Sequence, residues 1–313
     1  MIDFLGHYPV SDSRILIIKL GALGDVVRTT PLLRVLQGNI TWITSVGAIP
    51  LLSGNRYVDH LEAIEARCDS VLNQRFDLVL SLEDELSAAS LASSVKTERL
   101  IGSYREGGTV TYTQSASEWF DLGLISKFGK QKADELKKNN RRTYQDFIFS
   151  MVGHRFRGEE YVLNTRLTKH PAANLVGLEA RAGTVWPMKR WGGYEKLAQR
   201  LLKEQFQVKV FRQHPHLTDY IDEINECQYV VCGDTLAMHV GLALGKLVVA
   251  IFTCTSPHEI YDYQRMIKIV SPVWEKYFYC RDFVSEAADA VSVETVFDAI
   301  KTLGETQSAS RMT

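Results

Sequence analysis

The sequence is poor in cysteine. Its five, Cys68, Cys227, Cys232, Cys254 and Cys280, form an odd set with no close pairing and no CxxC or Cys/His cluster. That argues against a disulfide framework and a structural zinc site, and no metal is expected. Long apolar runs are missing too, since stretches such as Leu247–Phe252 are far too short to span a bilayer. The opening MIDFLGHYPVSDSR lacks the basic-then-apolar order of a secretory signal. Net charge is −1, so no global field draws the chain to nucleic acid or an acidic membrane. There is no short-period repeat, and no low-complexity tract beyond the polar last residues. The expectation is a soluble, cytoplasmic protein without nucleic-acid partners, in which only local patches could touch the inner membrane peripherally.

What is present is ordinary globular material, with 45% hydrophobic and 23% charged residues. A length of 313 residues exceeds what one core usually supports and predicts two domains. Strand-like and helix-like segments alternate: strands at Ile15–Leu20, Ile40–Thr44, Arg75–Ser81 and Arg99–Gly102, and helices from about Val26, from Pro50 and over Leu86–Ser94. This rhythm predicts a doubly wound parallel sheet. A lysine- and arginine-rich stretch follows (Lys127, Lys130, Lys132, Lys137, Lys138, Arg141, Arg142), then the apolar-periodic Tyr144–Val152. It is either a solvated face or a basic rim for an anionic substrate. Thr168–Pro171 resembles a linker, so the boundaries are 1–168 and 169–313. The second series has strands at Asn174–Glu179, Gln207–Phe211, Tyr229–Cys232 and Leu247–Phe252, helices at Tyr194–Glu204, Leu217–Asn225 and Ala237–Leu244, and an amphipathic tail, Val291–Leu303, available to pack back on the first domain.

Three loops at predicted strand ends carry the chemical signal. In the first, an apolar strand runs into Lys19-Leu20, glycines Gly21 and Gly24, then Asp25. The glycines permit positive φ and close backbone approach. Asp25 is either a reacting carboxylate or a cap of the following helix. GxxGD is not the GxGxxG dinucleotide fingerprint, which makes a nicotinamide oxidoreductase the weakest reading. In the second, a strand ends at Gly233-Asp234-Thr235 and a helix begins at once, directing unpaired N–H groups and a positive dipole at a site suited to phosphate. Asp234 and Thr235 could equally be helix caps, and His239 a packed core residue. The following strand ends in the hydroxyl-rich Thr253-Cys254-Thr255-Ser256-Pro257. The third, RAGTVWPMKRW (Arg181–Trp191), offers Gly183-Thr184 as donors and Lys189 and Arg190 as cations for phosphate oxygens, or is a solvated surface loop. Together they favour a nucleotide-linked substrate.

RILIIKLGALGDVVRTTPLL (Arg14–Leu33), AGTVWPMKRW (Ala182–Trp191) and CGDTLAMHVGLALGKLVVAIF (Cys232–Phe252) with TCTSP, in that order, resemble glycosyltransferase family 9, the ADP-heptose:lipopolysaccharide heptosyltransferases and their relatives. The resemblance covers nearly the whole chain, KKNNRRTYQDFIFSMVG included. It implies a GT-B fold: two Rossmann-like domains facing across a cleft, with the donor on the C-terminal one. It implies inverting transfer of a sugar, heptose from ADP-heptose, to a lipopolysaccharide-type or other glycan acceptor, with no cofactor beyond the sugar-nucleotide substrate. Asp25 matches the general base. Thr184 and Lys189 match donor-phosphate contacts, and Asp234, Thr235, Met238 and His239 the donor-sugar and phosphate region. Gly21, Gly24, Arg28, Arg141 and Arg142 are assigned to the acceptor side. Leu236 stands where the family often has glycine, and Arg28 where it often has histidine. A sugar-nucleotide epimerase or hydrolase of the same fold, or a non-catalytic sugar-nucleotide-binding protein, is the alternative.

Overall fold

The computed structural model describes residues 12–66, 68–164 and 171–310, side chains of 308–310 excepted. The expected linker and the 168/169 boundary therefore lie, apart from Pro171, outside the described residues. Contacts divide the chain into two units, Met1–Leu136 with Tyr144–Asn164, and Lys137–Thr143 with Thr165–Thr313.

The first unit is a six-stranded sheet. Its strands are β1 (Arg14–Ile18), β2 (Asn39–Thr44), β3 (His60–Ala63), β4 (Arg75–Ser81), β5 (Lys96–Glu106) and β6 (Thr109–Tyr112), in the order β3-β2-β1-β4-β5-β6. All pairs are parallel except β5–β6. Ile15 to Ile18 have no exposed surface, as expected of a central strand covered on both faces. The expected strand at Arg99–Gly102 is the middle of a longer one. It continues into a hairpin whose two-residue turn, Gly107-Gly108, has φ of +55° and +87°, the positive pair that a tight antiparallel turn requires. β3 escapes the sequence pattern because HLEA is a short, half-exposed edge strand without alternation.

The second unit is a five-stranded, all-parallel sheet of β7 (Leu175–Leu178), β8 (Gln207–Val210), β9 (Tyr229–Gly233), β10 (Leu247–Phe252) and β11 (Met266–Val270), in the order β11-β10-β9-β7-β8. β11 was missed by the sequence reading. On one face, helices Tyr194–Lys203 and Val293–Ser310 bury Tyr194, Leu197, Leu201, Val296, Phe297, Ile300 and Leu303 against Val176, Val231, Val249 and Ile251. The 3–4-residue spacing of these positions gives each helix one apolar stripe. The amphipathic tail thus contributes its stripe to the core of its own unit. Helix Leu236–Ala243 can sit close to the sheet because Gly241 has no Cβ; one there would lie 3.2 Å from Val248 Cγ2.

In each unit the strand order reverses beside the first strand, between β1 and β4 and between β7 and β9. Crevices outside the carboxyl ends of strands at such reversals are where open α/β sheets bind ligands. The β4–β5 junction depends on Gly102, which has φ +107° and whose Cβ would meet the Ser81 carbonyl oxygen at 1.9 Å. Gly102→Ala should lower unfolding free energy by about 2–3 kcal/mol, from overpacking plus positive-φ strain. A denaturant titration with an unchanged midpoint would contradict that.

Candidate functional site

The loop after β1 is clamped from β4. Glu83, just past β4, accepts hydrogen bonds from the backbone N–H groups of Leu20 (2.6 Å) and Gly21 (3.0 Å) and pairs with Lys19 Nζ at 2.9 Å. Lys19 Nζ also donates to the Gly21 carbonyl at 2.8 Å. Both charged side chains are buried, a placement tolerable only because each is paired and hydrogen-bonded. Helix Leu23–Thr29 follows, with Asp25 in its first turn. The Asp25 carboxylate, 35% exposed, pairs with Arg28 Nε at 2.9 Å. The Arg28 guanidinium lies 4.2 Å from the Tyr144 ring centroid and 5.6 Å from that of Trp119. Tyr144 is fixed in turn by its hydroxyl, 2.9 Å from Thr29 Oγ1. Burial opposes charge on Lys19, yet Glu83 and Asp25 carry its pKa above the ordinary lysine value. Asp25 thus faces two cations.

In the second unit, two segments far apart in sequence meet at the β7–β9 reversal. Lys189 Nζ donates to Asp234 Oδ2 at 2.8 Å, with both side chains mostly buried. Gly233 makes the approach possible, because a Cβ there would lie 2.4 Å from the Lys189 carbonyl oxygen. Thr253 Oγ1 locks the loop after β10 to the same place by donating to the Met188 carbonyl at 2.5 Å. Trp274 Nε1 donates to the Thr255 carbonyl at 2.7 Å, and Tyr279 N–H to that of Cys254 at 2.8 Å. Burial disfavours the Asp234 carboxylate, but Lys189 and His239, with the Thr255 hydroxyl, hold its pKa well below the usual carboxylate range. Helix Leu236–Ala243 starts at this point with Thr235 as its N-cap, and the Thr235 hydroxyl makes no cap bond. Thr235 Oγ1 and the buried Ser256 Oγ have no hydrogen-bond partner among the described residues. Helix-start amides, hydroxyls and a lysine ammonium are donors suited to phosphate oxygens.

Residues 215–282, inside this second unit, match the family description "Glycosyltransferase family 9 (heptosyltransferase)". No curated protein matches the chain by sequence. Among solved structures, a family 9 glycosyltransferase of Veillonella parvula is 18% identical, with TM-score 0.65 over 94% of this chain and 97% of that one. The E. coli ADP-heptose lipopolysaccharide heptosyltransferase II is 15% identical, with TM-score 0.66 over 94% and 99%. E. coli heptosyltransferase WaaC, solved with ADP-2-deoxy-2-fluoro heptose, is 15% identical, with TM-score 0.62 over 92% and 99%. Over residues 215–282 the chain is thus similar to glycosyltransferase family 9. Its fold is GT-B.

In this fold the sequence-predicted residues sort into several environments. Asp25 is not a helix cap, because Ala22 holds the cap position and Asp25 is the third residue inside. Neither Gly21 nor Gly24 uses the positive φ that glycine permits. Gly21 instead spends its N–H on Glu83, and a Cβ there would meet nothing within 4 Å, so the loop's outer side is open. Lys189, Asp234, Thr235 and His239 gather at one place, whereas Thr184 lies in an exposed turn. Met238 has no exposed surface, which places its side chain in the packing beneath the helix start. Arg141 and Arg142, expected on the first domain, belong with the second unit. Arg141 Nη1 there donates to the Lys138 and Asn140 carbonyls at 3.0 and 2.9 Å, closing the end of helix Lys130–Asn139. The sequence reading missed Glu83, Trp119 and Tyr144 as site partners, and named Ser256 only as part of a hydroxyl-rich loop. Glu83 carried a readable signal, a carboxylate just past an apolar strand; the ring stack on Arg28 carried none.

Because the folded pKa of Asp234 is depressed, its ion pair stabilises the fold above the ordinary carboxylate value. That contribution is lost as pH falls below about 4 toward the folded pKa. Asp234→Asn should therefore cost about 3 kcal/mol at neutral pH, where it strands a buried Lys189, and progressively less in acid. Thermal melts of both proteins across that range check it, and a pH-independent difference would refute the pairing.

Proposed function

We propose that this protein is a glycosyltransferase that moves heptose from ADP-heptose, with inversion, onto a lipopolysaccharide-type glycan acceptor. The observation that carries the reading is the Lys189–Asp234 pair set among the open helix start and the hydroxyls of Thr235 and Ser256, a donor set matched to a sugar-nucleotide diphosphate. The E. coli relatives solved with ADP and with an ADP-heptose analogue support the choice of donor.

In this scheme the acceptor hydroxyl oxygen attacks the anomeric carbon as the bond from that carbon to the diphosphate oxygen breaks. The acceptor's proton passes to the Asp25 carboxylate, a transfer contributing roughly 10²–10⁴-fold in rate. Arg28 fixes the rotamer of that carboxylate, and the Glu83 clamp fixes the loop from which its helix starts. Negative charge grows on the departing ADP. Lys189 and the helix-start amides stabilise it, and Asp234 holds Lys189 in place beforehand, so that little reorganisation accompanies the reaction. No cofactor enters this scheme beyond the sugar nucleotide. Gly21, Gly24 and Arg28 are placed on the acceptor side, and Thr184 on the donor phosphates. The acceptor is a glycolipid or glycan, and the enzyme works in the cytoplasm, peripherally at the inner membrane.

Asp25→Asn should lose two to four orders of magnitude in transfer to heptose-free lipopolysaccharide, on the scale of general-base removal, while ADP still raises its melting temperature. Lys189→Ala should lose the ADP-induced shift. Transfer by the Asp25 variant at near the wild-type rate would overturn the base assignment. Sugar release from the donor at equal rates with and without acceptor would make the protein a hydrolase instead.

A further inference from the structure

The loop between helices Ser117–Phe120 and Lys130–Asn139 turns two large apolar side chains into solvent: Leu124 is 71% exposed and Phe128 62%. Their neighbours are cationic. Residues 122–133, LGLISKFGKQKA, contain Lys127, Lys130 and Lys132 and no acidic residue, and 127–132 are all exposed. The tip is a built turn. Gly129 has φ +78° and donates to the Ser126 carbonyl at 3.2 Å, while Phe128 N–H donates to Ser126 Oγ at 3.2 Å. Lys127 N–H donates to the Tyr112 phenol oxygen at 2.9 Å, and that buried phenol donates to Asp121. Tyr112 stacks on buried Phe120 with ring centroids 5.4 Å apart. The lysines are lightly engaged. Lys127 Nζ lies 4.5 Å from the Tyr112 ring centroid, Lys130 pairs with Asp134, and Lys132 pairs with Glu135 at 3.0 Å. Exposed pairs of this kind are weak and screened by salt.

We propose that Leu124–Lys132 is a membrane-docking tip, in which Phe128 and Leu124 enter the headgroup boundary of an anionic bilayer while Lys127, Lys130 and Lys132 meet its phosphates. An apolar groove on a protein partner would accept the phenyl ring but would desolvate three ammonium groups beside it. An anionic lipid surface takes both at once. The tip gives the peripheral placement of the preceding section a specific segment, yet rests on observations independent of the transfer reaction.

Co-sedimentation of the full chain with phosphatidylcholine vesicles, and with vesicles that also contain phosphatidylglycerol, tests it without donor or acceptor. Wild-type protein should sediment with the anionic vesicles, less so as salt rises, and poorly with the neutral ones. The Leu124→Ser/Phe128→Ser variant should partition about tenfold more weakly, from the lost apolar burial. The Lys127→Gln/Lys130→Gln/Lys132→Gln variant should fall by roughly a hundredfold at low salt, since each lysine is worth roughly fivefold at an anionic surface. Unchanged melting temperatures establish that both variants fold. The proposal is overturned if wild type ignores anionic vesicles or if both variants partition as wild type does. It is also overturned if light scattering shows a dimer that the Phe128 variant converts to monomer, which would assign the tip to a second copy. Transfer to a soluble acceptor should be untouched by either variant, so docking and catalysis fail separately.

Discussion

Lys189 and Asp234 stand 45 positions apart in the chain and 2.8 Å apart in space, and the loops at the β7–β9 reversal depend on that pair. Removing two charges from water is costly, and the cost is recovered only when partners are close and well oriented. The missing side chain of Gly233 provides the closeness, and Thr253, bonded to the Met188 carbonyl, ties down the third wall. The arrangement holds a cation, a helix start and two uncommitted hydroxyls in fixed positions. These are hydrogen-bond donors already in place, the set on which the proposed diphosphate site rests.

The first unit uses the same sheet reversal for a different end. There the amides of Leu20 and Gly21 point at a carboxylate supplied by the protein itself, Glu83, whose charge is matched by buried Lys19. Those amides are spent before any ligand arrives. What the unit presents instead is Asp25, half exposed one helical turn beyond, with Arg28 against it and aromatic rings against Arg28. A guanidinium stays charged at every accessible pH, so the carboxylate's partner is a permanent cation rather than a titrating imidazole. Two units of related topology thus diverge through single side chains at equivalent edges: one spends its loop amides on its own carboxylate, the other leaves its helix start without a side-chain cap bond.

Much of this was legible in the residues. Central strands such as Ile15–Ile18 and Leu247–Phe252 are apolar runs because both faces are covered, and the amphipathic helices show their stripe at 3–4-residue spacing. The turn after Ile15–Ile18 and the strand end at Gly233 fall where the apolar runs stop. What escaped were edge elements, His60–Ala63, Met266–Val270 and the hairpin beyond Gly102, whose residues are half exposed and carry little pattern. The roles of Arg141 and Arg142 escaped as well: seven residues of a basic stretch join the second unit, and no composition records which unit a charged segment lies against.

The sequence by itself determined the alternation of strands and helices, the two-unit plan, the three loops on which the proposed chemistry rests and the family they resemble. These follow from local spacing, since burial period and chain-turning glycines are properties of neighbours along the chain. Only the tertiary structure decided that Lys189 answers Asp234, that Glu83 consumes the amides before Asp25, and that Arg28 is held by Trp119 and Tyr144. Those are contacts between residues 45 to 116 positions apart, and a side chain's partner across such a gap is set by sheet order and register, which no local pattern encodes.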